Sequence, residues 1–313
     1  MAKLLRIFPP LVLFILIFLS VIGYFSKTFY FAELASHFNV QYAGISIALC
    51  LIFIWRKVWL KWFVLAIVIA VINLIPIFQL YTGDQPATDA ASFKLLSINL
   101  LRSNENSEEV LYYLNDKSPD VVVLMEYTPN WDKVLDTLKK QYPFRHAVPL
   151  EGNFGIAVWS KVEAVFEERY YAMDEVPSIK TKLKWEGEEI DLLATHPTPP
   201  TNPFDWDARN IQFERIEKER IKNINKPFVL IGDFNTTSFT GAFKKLKENT
   251  LTRDSRKGFG LQPTWPTWNK LFFISLDHCL VSDEVVVINR KTGKYIGSDH
   301  LPIELNLTLK NRL

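Results

Sequence analysis

The sequence predicts an α/β protein in which an N-terminal block of transmembrane helices precedes a domain of two packed β-sheets flanked by helices. Up to about Tyr81 the chain is dominated by Leu, Ile, Val, Phe and Trp, whereas from Phe93 onward charged residues are frequent and evenly mixed. In the second part, short apolar runs of strand length outnumber helical segments. That pattern is typical of two sheets that pack face to face and are covered by helices.

Three apolar runs form the predicted membrane block. Residues 7–25 are uncharged, and their number is near the ~20 residues that a helix needs to cross a bilayer. No small-residue cleavage site follows them, so we expect a retained helix and not a signal peptide. The other runs are predicted as helices at 38–55 and 58–80. Three crossings are favoured; a re-entrant middle run would leave two.

Basic residues predict the orientation of this block. Lys3 and Arg6 precede the first helix, and Arg56, Lys57 and Lys61 lie between the second and the third. Because Lys and Arg in short loops favour the cytoplasmic side, three crossings place the domain that follows outside the cytoplasm. Two crossings would place it inside.

A short polar stretch separates the two parts. Residues 82–92 (TGDQPATDAAS) are small and polar and contain Pro, which is the composition of a linker without a core of its own. The predicted domains are therefore a transmembrane block at 1–81 and a second domain at 93–313.

The second domain begins with the predicted order strand, helix, strand. Residues 93–99 are a short apolar run that ends on Asn99, and residues 120–125 are a second one that Glu126 follows. Residues 107–115 between them form a predicted helix, with Glu108 and Glu109 in its first turn, where they complement the helix dipole. Further strands are predicted at 155–159, 179–184, 190–195, 227–231, 276–281 and 303–309, and a longer helix at 206–223.

Charge argues weakly against tight, sequence-independent binding of nucleic acid. The chain carries 36 basic and 34 acidic residues, a formal net charge of +2. Residues 1–92 hold six of the basic and three of the acidic ones, which leaves a net charge of −1 for the rest. Neutralising phosphates needs concentrated Lys and Arg, although a local basic groove stays open. The two cysteines, Cys50 and Cys279, lie in unlike apolar segments and predict no disulfide or metal framework.

Polar residues recur at the ends of the predicted strands. The segment IGDFN presents Asp233 and Asn235 two residues apart, so in extended chain they point the same way. A strand that runs into an Asx turn gives the same pattern. In chain order the motifs are SIN ending on Asn99, VLME ending on Glu126, ATHP with His196, GDFN, LDH with Asp277, and SDHLP with Asp299 and His300.

This succession resembles the endonuclease/exonuclease/phosphatase superfamily over about residues 93–309, because six short motifs agree in type and order. The resemblance implies a four-layer sandwich and a metal-dependent phosphoric ester hydrolase with Mg²⁺ or Mn²⁺ as its cofactor. It implies that Glu126 binds the cation, with Asn99 beside it and Asp299 as a further metal contact. Oxygen ligands of this kind suit those cations and not zinc.

The resemblance also implies the catalytic set. Asp233 and Asn235 match the pair that orients the attacking water and holds the phosphoryl oxygens. His300 matches the general base or phosphate-stabilising histidine, and His196 the histidine that contacts the phosphate or protonates the leaving group. Asp277 matches the acidic residue that orients a catalytic histidine or assists leaving-group departure. The division of proton transfer between Asp233 and His300 stays open.

Two residues are predicted to bind substrate. Asn153 lies in EGNFGIAVWSK, which matches a family segment that often lines the substrate cleft; a Gly-Asn loop before a strand is the alternative. Arg209, on the predicted helix after HPTPP, is placed to reach a phosphate, with a solvated helix face as the alternative. Trp265 and Trp268 in PTWPTW stack on substrate, touch lipid or pack internally.

Four features together resemble a bacterial membrane-anchored branch of the superfamily, which includes the YafD-like and the VanJ-type teicoplanin resistance proteins. These are the three N-terminal helices, HPTPP, DFNTTSF and TWPTW; DFN replaces the usual DLN and changes only an apolar spacer. The branch implies an integral protein of the bacterial inner or plasma membrane with an extracytoplasmic catalytic domain. Its expected partners are the bilayer and a lipid phosphate or polyprenyl pyrophosphate. A membrane-tethered nuclease and a non-catalytic binding module are the alternatives.

Overall fold

The computed structural model describes residues 2–55, 60–83 and 91–310. The predicted interfacial residues Arg56 and Lys57 lie outside the described residues, as does most of the predicted linker at 82–92. The orientation of the membrane block and the domain boundaries therefore stay predictions.

The N-terminal block consists of helices whose outward surface is apolar. Its α-helices are α1 (Ala2–Ile22), α2 (Tyr30–Ser36), α3 (Asn39–Trp55) and α4 (Leu60–Phe78). Residues Phe8–Phe25 and Leu60–Phe78 are each long and apolar enough to cross a membrane. Helices α2 and α3 meet at a bend of 61° and could together supply a third span. Apolar side chains such as Phe14, Leu51 and Val71 are exposed, as side chains that face lipid would be.

The C-terminal domain contains two six-stranded sheets. The first has the strand order β11-β12-β1-β2-β4-β3, and the second has the order β5-β6-β7-β8-β10-β9. The strands are β1 (Phe93–Asn99), β2 (Val121–Met125), β3 (Phe144–Val148), β4 (Ile156–Ser160), β5 (Ala164–Tyr170), β6 (Pro177–Trp185), β7 (Glu188–Thr195), β8 (Phe228–Asp233), β9 (Thr252–Asp254), β10 (Asp277–Ser282), β11 (Val285–Thr292) and β12 (Ile303–Leu309).

The domain has four layers, as predicted. Apolar side chains from both sheets, among them Val123 and Ile231, form one core between the sheets. The outer face of the first sheet packs against a helical layer that includes Leu114 and Trp131, and that of the second against a layer that includes Phe213 and Phe243. The helices of these layers are α5 (Ser107–Lys117), α6 (Pro129–Val134), α7 (Pro203–Ile221) and α8 (Gly241–Asn249).

Strand pairing gathers the polar motifs at one edge of the two sheets. Strands β1 and β2 are parallel, and so are β7 and β8, so that their carboxyl ends lie together. In the antiparallel pair of β8 and β10, Asp233 lies directly opposite Asp277. Strand β12 begins beside the end of β1, where Ile303 pairs with Ser97. The last residues of four strands and the first residues of two others therefore converge.

Gly232 is required where β8 reaches this edge. Its φ is +149°, and a Cβ at this position would lie 1.9 Å from the Thr195 carbonyl oxygen. Because backbone would have to move, we expect Gly232→Ala to lower the free energy of unfolding by about 3 kcal/mol in denaturant titrations. Gly152→Ala is the control, since a Cβ there meets no atom within 4 Å. Equal stability of the two variants would contradict this prediction.

Candidate active site

Asp233 lies at the centre of the polar cluster, between two histidines. Its Oδ2 is 3.6 Å from His196 Nε2 and 3.6 Å from His300 Nε2. Asn99 Nδ2 donates to the same oxygen at 3.3 Å, and the Asn235 backbone N–H donates to Oδ1 at 2.8 Å. Residues at the end of β1, directly after β7 and β8, and in the segment before β12 thus all contact the carboxylate of Asp233.

His300 lies between two carboxylates. Its Nδ1 is 2.8 Å from Asp277 Oδ2, and its ring is buried. Burial alone would lower the pKa of His300, but the negative charges of Asp277 and Asp233 outweigh it and raise that pKa to about 10. The two carboxylates therefore favour the imidazolium form of His300, in which Nδ1 donates a hydrogen bond to Asp277 and Nε2 faces Asp233.

Glu126 lies at the end of β2 in a fixed conformation. Its φ is 54°, in the left-handed region, and Arg102 N donates to its Oε2 at 2.9 Å. The side chain of Asn99, at the end of the neighbouring strand, accepts from Leu101 N at 3.1 Å. Glu126 is only 8% exposed. Backbone amides thus hold both side chains and leave oxygen atoms available at this edge.

Asp299 carries a buried oxygen that no described residue satisfies. Trp265 Nε1 donates to Oδ2 at 3.0 Å, whereas Oδ1 is buried without a hydrogen-bond partner. Ser298 Oγ donates to the Asn99 carbonyl at 2.7 Å and so ties this segment to β1. A buried, unpaired carboxylate oxygen needs a compensating group, and a cation is one that would serve.

The donor set fits a divalent cation. The residues that the resemblance assigns to the cation, Asn99, Glu126 and Asp299, would bind it through an amide oxygen and carboxylate oxygens, which Mg²⁺ and Mn²⁺ prefer. Ligand atoms of a second group, Asp233, Asp277 and His300, lie within 4.8 Å of one another and could also hold a metal ion. Coordination by His300 would require it to lose a proton that two carboxylates stabilise.

The predicted substrate-binding role of Arg209 is wrong. Its guanidinium is fully buried (0% exposed), and both terminal nitrogens bind the carboxylate of Glu33 from the membrane block. The charge is therefore already paired and turned away from solvent. Asn153 is exposed in the loop before β4, and the ring of its neighbour Phe154 lies 5.8 Å from that of His196. Its role in binding stays a prediction.

Two contacts near the site are not recognisable in the sequence. The sequence leaves Trp265 open between packing, lipid and substrate, whereas in the structure its indole donates to Asp299 and its ring lies 6.4 Å from that of His300. Glu33 is the acidic residue nearest the N-terminus, between the first two apolar runs. A lone carboxylate in an apolar block was the available signal, because such a group needs a partner.

Among the comparisons with known proteins, a family model shows the family and solved structures show the fold. A family model described as the endonuclease/exonuclease/phosphatase family matches residues 96–300. No curated protein matches the chain significantly.

Several solved structures are similar in fold at low sequence identity. D. rerio TDP2 complexed with a single-strand DNA product is 16% identical, with a TM-score of 0.58 over 70% of this chain and 99% of that one. The catalytic domain of human Nocturnin with bound sulfate is 16% identical, with a TM-score of 0.57 over 70% of this chain and 95% of that one. A family protein from Bacteroides vulgatus is 17% identical, with a TM-score of 0.55 over 70% of this chain and 100% of that one.

Proposed function

The chain belongs to the endonuclease/exonuclease/phosphatase family, and on that premise we propose that it is a membrane-anchored, Mg²⁺- or Mn²⁺-dependent phosphoesterase. The bond that it hydrolyses is a phosphoester or pyrophosphate of a membrane lipid. The observation that carries the proposal is the contact of Asp233 with both His196 and His300, of which His300 is in turn paired with Asp277.

In this mechanism the chain positions a phosphoryl group, a cation and a water molecule. Glu126, Asn99 and Asp299 would hold the cation, which when bound neutralises charge on the non-bridging oxygens. Hydrolysis of a phosphoester depends mainly on such positioning and charge stabilisation. Because the described residues leave Asp299 Oδ1 buried and unpaired, we assign this set to the metal.

Proton transfer falls to Asp233. Because Asp277 and Asp233 favour the protonated form of His300, we assign His300 to stabilising the phosphoryl oxygens as a cation and Asp233 to taking a proton from the attacking water. Asp277 keeps His300 charged and oriented. His196 lies on the other side of Asp233, where it can donate a proton to the departing oxygen. Asn235 completes the polar surface around the phosphoryl group.

Contacts between the membrane block and the C-terminal domain support three crossings. Ser26, after α1, accepts from Gly241 N at 2.9 Å, and Gln41, near the start of α3, donates to the Leu271 carbonyl at 3.1 Å. The Leu80 carbonyl, after α4, accepts from Gly258 and Gly260. The domain-proximal ends of three helices thus lie together. With the basic residues at the opposite ends, this arrangement favours an extracytoplasmic domain and the membrane-anchored bacterial branch.

The membrane-side loop (residues 265–273) links the site to the membrane helices. Trp265 contacts Asp299 and His300, and at the other end the Phe272 ring lies 6.3 Å from that of Phe38. Between them Trp268 is 71% and Leu271 77% exposed. Exposed apolar side chains beside transmembrane helices are typical of contact with lipid. This loop supports a substrate whose phosphate lies at the membrane surface.

The test is a substrate panel with the full-length protein in lipid nanodiscs. We expect phosphate release from a lipid phosphate or polyprenyl pyrophosphate with Mg²⁺ or Mn²⁺, and none after chelation by EDTA. Single- and double-stranded DNA, RNA and a soluble aryl phosphodiester complete the panel. Rapid cleavage of DNA with lipid phosphates untouched would replace the proposal by a tethered nuclease. Binding without turnover of any substrate would indicate a non-catalytic module.

A variant of the membrane-side loop distinguishes an effect on the access of lipid substrate from an effect on the hydrolytic step. Trp268→Ser combined with Leu271→Ser should lower kcat/KM on the lipid substrate by about tenfold. Hydrolysis of the soluble aryl diester should stay unchanged. Val165→Ser is the control, because Val165 is an exposed apolar residue of the edge strand β5. Equal losses on both substrates would argue against lipid contact by the loop.

A further inference from the structure

Glu33 brings a carboxylate from the membrane block into the C-terminal domain. It lies on α2 and is fully buried. Arg209 binds it through both terminal guanidinium nitrogens, Trp206 Nε1 donates to it at 2.7 Å, and Thr236 Oγ1 donates at 3.3 Å. All of these donors belong to the C-terminal domain. The carboxylate therefore joins Trp206, Arg209 and Thr236 by hydrogen bonds, although it belongs to the membrane block.

Arg209 continues the connection toward the active site. Its Nη1 also donates to the Asn235 carbonyl at 3.4 Å. Asn235 has a φ of 49°, its N–H binds Asp233, and its side chain donates to the carbonyl of Pro197, next to His196, at 2.9 Å. A shift of the guanidinium would therefore reach the residue that links Asp233 to the His196 segment.

The catalytic loop (residues 233–241) rests on the membrane block at further points. His37 Nδ1 lies 3.2 Å from Thr237 Oγ1. Ser26 binds the N–H of Gly241, and the backbones are so close that a Cβ on Gly241 would lie 2.8 Å from Lys27 N. Residues 26–37 thus contact the catalytic loop at both Thr237 and Gly241.

A buried ion pair needs a reason, because desolvation of both charges offsets most of their attraction. Within the described chain, Glu33 is the carboxylate that pairs with Arg209. Besides neutralising the charge of Arg209, Glu33 fixes the position of its guanidinium, which donates to the Asn235 carbonyl. Buried hydrogen-bonded networks fix geometry in this way, and here both terminal guanidinium nitrogens are bonded, whereas Arg209 Nε has no partner among the described residues.

We propose that Glu33 is a positioning residue of the active site, which acts through Arg209 to hold the backbone of Asn235 in its catalytic conformation. The membrane block then completes the catalytic loop and is not only a tether. This inference rests on the proposed phosphoesterase function, and it deepens that function by adding a part of the membrane block to the site.

The test uses full-length protein in nanodiscs with Mn²⁺ and the soluble aryl phosphodiester, so that lipid access plays no part. Glu33→Gln should lower kcat at least about tenfold, because misplacement of a site by an ångström or less has effects of this size. KM should stay within about twofold. Hydrogen exchange of residues 233–241 should become faster. Glu217→Gln is the matched control, since Glu217 is a buried glutamate of α7 that binds Asn249, away from the catalytic loop.

A second variant shows whether a loss of kcat in Glu33→Gln is caused only by unfolding of the protein. Glu33→Leu with Arg209→Met removes both charges, so it should restore the midpoint of thermal unfolding without restoring kcat. Wild-type kcat in this double variant would overturn the proposal, because Glu33 would then serve only to neutralise Arg209. Wild-type kcat and exchange in Glu33→Gln would overturn it as well. If the wild-type protein hydrolyses nothing, the proposed function fails, while the exchange rates still decide whether Glu33 holds the loop.

Discussion

Asp233→Asn should reduce kcat by about 1,000-fold or more, because it removes a general base together with the charge that two histidines face. Asparagine nearly matches the shape of Asp233 and can still accept from the Asn235 N–H, so we expect the fold to persist. It cannot accept a proton from water, and it leaves His300 with Asp277 as its remaining close carboxylate. The measurement is kcat on the aryl diester at saturating Mn²⁺, with circular dichroism as the check on folding.

The control for this variant is Asp191→Asn. Asp191 is also a buried aspartate of the second sheet, on β7, but it contacts none of the proposed catalytic residues in the described structure. Its replacement should leave kcat unchanged. If Asp233→Asn kept a tenth or more of the wild-type kcat, Asp233 would not be the base. A loss of Mn²⁺ affinity in Asp233→Asn would instead assign the metal to the group of Asp233, Asp277 and His300.

The layers and the polar edge could be predicted because their signals are local. Strand β2 (VVVLM) is buried along its whole length, and buried central strands appear in sequence as uninterrupted apolar runs. A polar residue that the site uses lies at the end of each such strand or directly after it. Parallel pairing of β1 with β2 and of β7 with β8 then brings those ends together.

Edge strands were missed because their sequences carry a weaker signal. Strand β5 (AVFEERY) lies at the edge of its sheet and alternates exposed with partly buried residues. Strands β3 and β9 are also edge strands, and β11 ends in the polar sequence NRKT. Charged residues on an edge strand protect a sheet against pairing with strands of other chains. Because they interrupt the apolar run, the strand is not recognised from its sequence. The predicted strands therefore correspond to the inner strands of both sheets, whereas the four edge strands were not predicted.

Contacts between distant parts of the chain could not be predicted at all. Glu33 and Arg209 are 176 residues apart, and no local pattern links them. Arg209 was therefore assigned to substrate, as an arginine on a helix that follows a catalytic histidine. The same holds for Trp265 and Asp299, whose contact depends on how the membrane-side loop folds back onto the segment before β12.

Glu126→Gln should weaken Mn²⁺ binding by about 10- to 100-fold and lower kcat at any fixed Mn²⁺ concentration. The substitution keeps an oxygen for the Arg102 N–H, so the backbone conformation at the end of β2 should persist. It removes the negative charge that favours binding of a divalent cation. The neighbouring ligand Asn99 is neutral and cannot replace that charge. The measurement is Mn²⁺ binding by calorimetry together with the dependence of kcat on Mn²⁺ concentration.

The two readouts distinguish a metal ligand from a residue that acts on the substrate. If Glu126 binds the cation, excess Mn²⁺ should restore much of the lost kcat, whereas Asp233→Asn should stay inactive at every Mn²⁺ concentration. Glu105→Gln is the control, because Glu105 is exposed in the same connection between β1 and α5 as Arg102 and should leave both quantities unchanged. Unaltered Mn²⁺ affinity in Glu126→Gln would remove this residue from the metal site. The cation would then be expected between Asp233 and Asp277, and the protonated state of His300 would change when it binds.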